Sequence, residues 1–146
     1  MAQILEMEMN IMNLVEQLLK IDAGKIEVPS KEVKLKLAKL GNAEITFTCN
    51  AISMERYNEI QERVLQVDKK GNIQGFATAQ AKIETVLAGV SELRSEELMK
   101  HFKAPTPKEL MNKIFLPGEV DILADTITEI SGVESTSNKK EDIKNL

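Results

Sequence analysis

The chain has 146 residues, 42% hydrophobic, 29% charged and only 3% aromatic, and its 19 Lys and Arg against 23 Asp and Glu leave a net charge of -4 at pH 7. That length suits one domain, which buries about 68–70% of the unfolded chain's surface, and the negative balance opposes binding to phosphate backbones or anionic membranes. Tryptophan is absent, which disfavours carbohydrate stacking and single-stranded nucleic-acid platforms. A lone cysteine forms no intramolecular disulfide, and neither a leader pattern nor 18 consecutive apolar residues occurs, so the chain reads as cytosolic, with no nucleic-acid or membrane partner.

The first strong signal is N-terminal. Ile4, Met7, Ile11, Leu14, Leu18 and Ile21 alternate spacings of three and four along roughly five helical turns, and Leu5, Met12, Val15 and Leu19 widen the stripe. Burying each such side chain is worth about 1.5–3 kcal/mol before ordering entropy is counted. Something therefore covers this face: the domain's own core, a self-association seam or a client. Four of the seven methionines fall in the first twelve positions, and methionine suits surfaces that accept more than one partner shape.

After Lys20–Lys25 the period changes to two. Val33, Leu35 and Leu37 alternate with Glu32, Lys34 and Lys36; after Gly41-Asn42, Ile45, Phe47 and Cys49 alternate with Glu44, Thr46 and Thr48. This predicts a β-hairpin with one apolar face. Leu40 breaks the alternation, so a bulge or a longer loop is expected at the turn. Lys31, Lys34, Lys36 and Lys39 read as blockers of edge pairing rather than an anion site, and Cys49 as a small core residue rather than a reactive thiol.

Ser53 then caps a helix through about Asp68, with Met54, Tyr57, Ile60, Val64 and Val67 on one side. Its other side, with Glu55, Arg56, Glu59, Glu62 and Arg63, reads as solvated. Lys69–Gly75 reads as a loop. A helix from about Thr78 carries Ala79, Ile83, Val86, Leu87 and Val90, and Ser95 caps a short one ending near Phe102.

The best specified stretch runs from Thr106 to Gly132. Thr106 is a good N-cap and Pro107 sits where a helix needs no N–H, so a helix starts there with Leu110, Met111, Ile114 and Phe115 on one face. Leu116, Pro117 and Gly118 form its end and a corner, after which Glu119 and Asp121 place negative charge in the first turn of the next helix. Val120, Leu123, Ile127 and Ile130 form the second stripe, and Gly132 is a C′ stop. The two stripes face each other or a shared core. Together the elements predict an α+β, mainly α fold: about five to six helices with one β-hairpin near residues 31–51. Residues 1–134 are expected to form a single domain and 135–146 a polar disordered tail.

Chemistry is nearly absent from the sequence. His101 alone would have to serve any histidine-based triad, and it lies at a helix end, where its charge suits the C-terminal dipole. No metal-ligand spacing and no glycine-rich phosphate loop occurs, and paired acids such as Glu96-Glu97 read as surface charge. No catalytic residue, cofactor, metal or small-molecule substrate is expected.

The order of the lysine-rich strand pair, AISMERYNEIQERV from Ala51 to Val64, VLAGVSE from Val86 to Glu92, and FKAPTPKELMNKIFLPGEVDILADTITEISG resembles the XkdN-like tail assembly chaperones of contractile-tailed phages, prophages and phage-tail-like bacteriocins. The likeness spans roughly Val28 to Gly132 and rests above all on Thr106, Pro107, Leu116, Pro117, Gly118, Glu119 and Gly132, which are architectural residues. It implies a non-enzymatic protein that binds the long helical tape measure protein transiently and keeps it soluble during tail assembly. On that reading the candidate partner-binding residues are Ile4, Met7, Ile11, Met12, Leu14 and Leu18, with Val120, Leu123 and Ile127. A structural tail or baseplate component, or a self-assembling cytosolic adaptor, would use the same stripes for permanent or homo-oligomeric contacts.

Overall fold

The structure, a computed structural model, describes residues 13–65 and 79–133. Expectations for Ile4, Met7, Ile11 and Met12, for Lys69–Gly75 and for the tail lie outside the described residues, as do those for the side chains of Val64 and Val67. Residues 13–19 are helical (α1), and a short 3-10 turn, Ala23–Lys25, follows, with Asp22 Oδ1 accepting from Gly24 N at 2.9 Å.

The alternating apolar pattern folds as expected. β1 (Ser30–Leu37) and β2 (Ala43–Asn50) pair antiparallel, Val33 opposite Phe47 and Leu35 opposite Ile45. This register puts Leu37, Phe47 and Cys49 on the inner face, where all three are buried. On the other face Lys36 stands opposite Glu44. The connection is the longer loop that Leu40 foreshadows: a 3-10 turn, Ala38–Leu40, then Gly41 and Asn42 at φ 67° and 61°. Asn42 N–H closes it by donating to Leu37 O at 2.9 Å.

A two-stranded hairpin is marginal alone, and here helices cover its apolar face. α2 (Met54–Leu65) begins at Ser53, whose Oγ accepts from Arg56 N at 3.1 Å. Its inward anchor is Ile60, fully buried against Ala81, Ile52 and Ala88. Met54, expected on the same side, is instead 84% exposed. Successive steps of three residues drift by about 60° each on a helix of 3.6 residues per turn, so Met54 has rotated away by the time Ile60 faces inward.

α3 (Ala79–Gly89) packs α2 on one side and α6 on the other. Ala79, expected on the apolar face, is exposed at the helix start. A 3-10 turn, Ser91–Arg94, leads to α4 (Glu96–His101), whose N-cap Ser95 Oγ accepts from Leu98 N at 3.4 Å. His101 occupies its last turn, exposed, with its ring edge-on to Phe102 at 4.8 Å. Lys103 then adopts φ 54° and the chain reverses, Ala104 N–H donating to Met99 O at 2.8 Å. Lys113 Nζ donates to Phe102 O and Lys103 O, both at 2.9 Å, which sets a cation on the carbonyl end of α4.

α5 (Pro107–Ile114) starts as its sequence specifies, Thr106 Oγ1 accepting from Glu109 N at 3.2 Å. α6 (Pro117–Ile130) corrects the expected corner. Gly118 lies inside the helix rather than in the turn, because Pro117, with its fixed φ and no N–H to satisfy, serves as the first helical residue. The corner is therefore only Phe115 and Leu116. Glu119 holds it twice: Oε1 accepts from Leu116 N at 2.7 Å and Oε2 from Ala38 N in the hairpin loop at 3.3 Å. At the far end Gly132 takes φ 80°, with its N–H donating to Glu129 O and that of Val133 to Thr128 O, both at 3.0 Å. This pair of bonds is a Schellman stop.

Of the two arrangements open to the stripes, a shared core is the one found. α5 lies over α4 and the Ser91–Arg94 turn, while α6 packs on α3 and on both strands. Leu110, Met111, Ile114, Phe115, Leu123 and Ile127 join Leu37, Phe47, Cys49 and Val86 in one buried cluster, with the Phe47 and Phe115 rings 5.4 Å apart. The described helices and single antiparallel hairpin make the fold mainly helical α+β.

The tightest packing in this core is at Gly89. A Cβ there would lie 2.5 Å from Ile127 Cδ1 and 2.7 Å from its Cγ1, so only glycine lets α6 approach α3 this closely. Gly89→Ala is expected to destabilise the protein by about 1–3 kcal/mol, the usual range for overpacking. Combining it with Ile127→Ala should cost less than the sum of the two single changes, a coupling that denaturant melts of the double-mutant cycle measure.

Candidate protein-docking surfaces

The described part of the N-terminal stripe stands off this core. All residues from 13 to 32 are exposed, including Leu14 at 57%, Leu18 at 61%, Leu19 at 78% and Ile21 at 60%. α1 ends in a turn where Ile21 N–H donates to Leu18 O at 3.2 Å. Ile26 and Val28 extend the uncovered surface toward β1 at 79% and 63% exposure. For described residues of this segment, the domain's own core is thus not the cover. Exposed apolar side chains in such number are a candidate interaction surface.

A second surface lies at the α5–α6 corner. It is a groove of about 280 Å³ lined by Ala79, Ile83, Met111, Phe115, Leu116, Pro117 and Val120, with Lys39, Lys82, Asn112 and Asp121 around it. Leu116 is 40% exposed there. Lys82 Nζ lies 3.0 Å from Asp121 Oδ1, and Lys39 Nζ donates to Asn112 O at 2.7 Å. Val120 is half-buried against the core and reaches the groove with its remaining surface.

The other two members of the expected second-helix set do not reach any surface. Leu123 and Ile127 are both 0% exposed. They occupy the side of α6 that packs on α3 and the hairpin, so the folded domain offers neither to a partner. Leu116, expected only as a corner residue, is the groove residue that sequence reasoning missed. The signal was available: an apolar side chain at an N-cap, where Ser, Thr, Asp or Asn is preferred, has a reason other than capping.

The charged side of α2 is also more than solvated surface. Glu84 of α3, with its side chain only 7% exposed, receives Arg63 at 3.2 Å, Lys108 at 3.4 Å and Arg56 at 3.6 Å. A carboxylate this buried requires such partners. The cluster ties α2 and the start of α5 to α3, and nothing in the linear spacing of Arg56, Arg63, Glu84 and Lys108 announces it.

Chemical groups are scarce. Burial pushes the Cys49 thiol above its ordinary value, away from thiolate reactivity. Among the described residues no group of His, Cys, Asp or Glu could hold a metal ion, and no helix is long and apolar enough to cross a membrane.

The described residues thus form a mainly helical fold that leaves two apolar surfaces uncovered. Residues 15–144 match the family described as phage XkdN-like tail assembly chaperone protein, so the chain belongs to that family. The match takes in the N-terminal stripe from Val15, beyond the Val28–Gly132 span that the motifs carry. Among solved structures it is similar to the crystal structure of the protein yqbn, with a TM-score of 0.52 and 16% sequence identity over 77% of this chain and 93% of that one. No curated protein sequence matches. At that identity the yqbn likeness speaks to the fold alone.

The exposed edge of α6 carries Asp121, Asp125 and Glu129 at successive i,i+4 positions. Asp125 is shifted above its ordinary value of 3.8, first by partial desolvation of its carboxyl against the helix and then by Asp121 and Glu129, with Lys82 opposing. Its ionisation therefore opposes folding. The stability it forfeits is fully present below its ordinary value of 3.8 and is lost as pH rises through the raised folded value. Asp125→Asn should accordingly raise the melting temperature at neutral pH, and the gain should vanish below pH 3.8.

Proposed function

We propose that this tail assembly chaperone binds the tape measure protein in the host cytosol before the tail is complete, keeps it soluble and extended while tube subunits assemble around it, and then leaves. The observation that carries this reading is the α1 stripe, apolar on one side and uncovered by the domain's own core. A long helical client with exposed apolar stripes is an aggregation hazard, and a helix with a matching stripe covers it reversibly by groove packing. Removing one apolar side chain from water is worth about 1.5–3 kcal/mol, so a handful of contacts gives binding without permanence. The role requires no bond chemistry, in keeping with an enzyme-free assignment.

The test is co-expression with the tape measure protein of the same tail locus. The wild-type chain should keep it in the soluble fraction and co-purify with it, and Leu14→Glu/Leu18→Glu should do neither while melting like the wild type. Retained binding by that variant would remove the stripe from the client surface. Recovery of the chain in stoichiometric amount from finished particles would replace the chaperone reading with that of a structural tail component.

A further inference from the structure

We infer that the chain covers its own α5–α6 corner groove with its C-terminal segment, which runs back along the outer edge of α6 and seats Ile143 among the apolar residues of the groove. The family match continues to residue 144, past the end of α6 at Ile130, so the segment belongs to the unit that defines the family. Its length allows the path. α6 has 14 residues and is about 21 Å long, whereas the ten residues from Val133 to Ile143 span up to about 33–36 Å. A chain leaving the stop at Gly132 therefore reaches the Pro117 end of the helix with length to spare.

Charge marks out the same path in order. The outer edge of α6 carries Glu129, Asp125 and Asp121, and Asp121 also lines the groove, so the edge leads into it. Beyond Val133 the sequence offers Lys139-Lys140 for that edge, then Glu141-Asp142 for the two ammonium groups at the rim, Lys39 and Lys82, then Ile143 for the apolar lining. Lys39 commits one of its three donors to Asn112 O, which leaves two for a carboxylate. The other apolar segment of the chain, its first nineteen residues, contains Glu6, Glu8 and Glu16 and no cation to set against the α6 edge. Two apolar residues, Ile143 and Leu146, are too few to order the C-terminal segment unaided. Tethering supplies the difference, since a short flexible linker holds its end at about millimolar effective concentration. A contact of that kind is displaceable. The groove is thus a surface opened by displacement, whereas Leu14 and Leu18 on α1 are open from the start.

A spin label on the full chain tests this. Asn145→Cys supplies the thiol, and Cys49, being buried, stays unlabelled. In amide NMR spectra recorded without any other protein, the label should broaden Ile83, Met111, Leu116 and Val120 of its own chain. Adding Ile143→Asp, or Lys139→Glu/Lys140→Glu, to the labelled chain should lower the docked fraction at least about tenfold and restore those signals. Groove amides that stay sharp in the labelled chain, or stay broadened in either variant, overturn the proposal. Equal broadening in an isotope-enriched chain that carries no label, when it is mixed with the labelled one, does so too, since the occupant is then the C-terminal segment of another copy. No client is present, so the outcome is independent of tape measure binding by the α1 stripe.

Discussion

The packing of Ile127 against Gly89 sets the rest of the architecture. Because α3 offers no Cβ at that point, α6 can lie close enough to fill the hairpin's inner face with Leu123 and Ile127, and a two-stranded sheet that would be marginal alone becomes part of a continuous core. Hydrogen bonds hold the same contact at its margins. Asn50 Nδ2 donates to Gly89 O at 3.2 Å, and Ser131 Oγ accepts from Ile52 N at 3.0 Å while donating to Ile127 O at 2.6 Å. Sequence motifs far apart in the chain, Ala51-Ile52-Ser53, Val86–Glu92 and Ser131-Gly132, are thus parts of one joint.

That joint also explains which apolar residues are left over. Once α6 has turned Leu123 and Ile127 inward, its start and the end of α5 meet at Leu116, and Glu119 clamps the corner to the hairpin loop through Leu116 N and Ala38 N. The groove is the concave side of this clamped corner. The described part of the N-terminal stripe, Leu14 to Ile21, stands in solvent. The proposed client binding would use this division, a core that persists and an apolar face that the core does not consume.

Electrostatics follows the same division. The buried charge, Glu84, is neutralised within the fold by three cations, whereas Asp125 and its acidic neighbours line the exposed edge of α6 with one lysine opposing them. The first arrangement joins elements. The second leaves an acidic edge on the outer side of α6.

Much was legible in the sequence because it is decided by the nearest few residues. Caps at Ser53, Ser95 and Thr106, the proline at helix position one, the left-handed stop at Gly132 and the period of two between Val33 and Cys49 each depend on local sterics and hydrogen bonding, and each takes the expected form. Periodicity also found the apolar stripe of α6. It could not say what that stripe faces, since an i, i+3, i+4 pattern looks the same whether its cover is the same chain or another one. The placement of Leu123 and Ile127 inside, of Leu14 and Leu18 outside, and of Arg56, Arg63 and Lys108 around Glu84 was decided by contacts between residues tens of positions apart. The sequence by itself determined the elements and, the start of α6 apart, the caps and stops named above; only the tertiary structure decided which apolar faces the core would use up, because burial depends on what the rest of the chain brings against them.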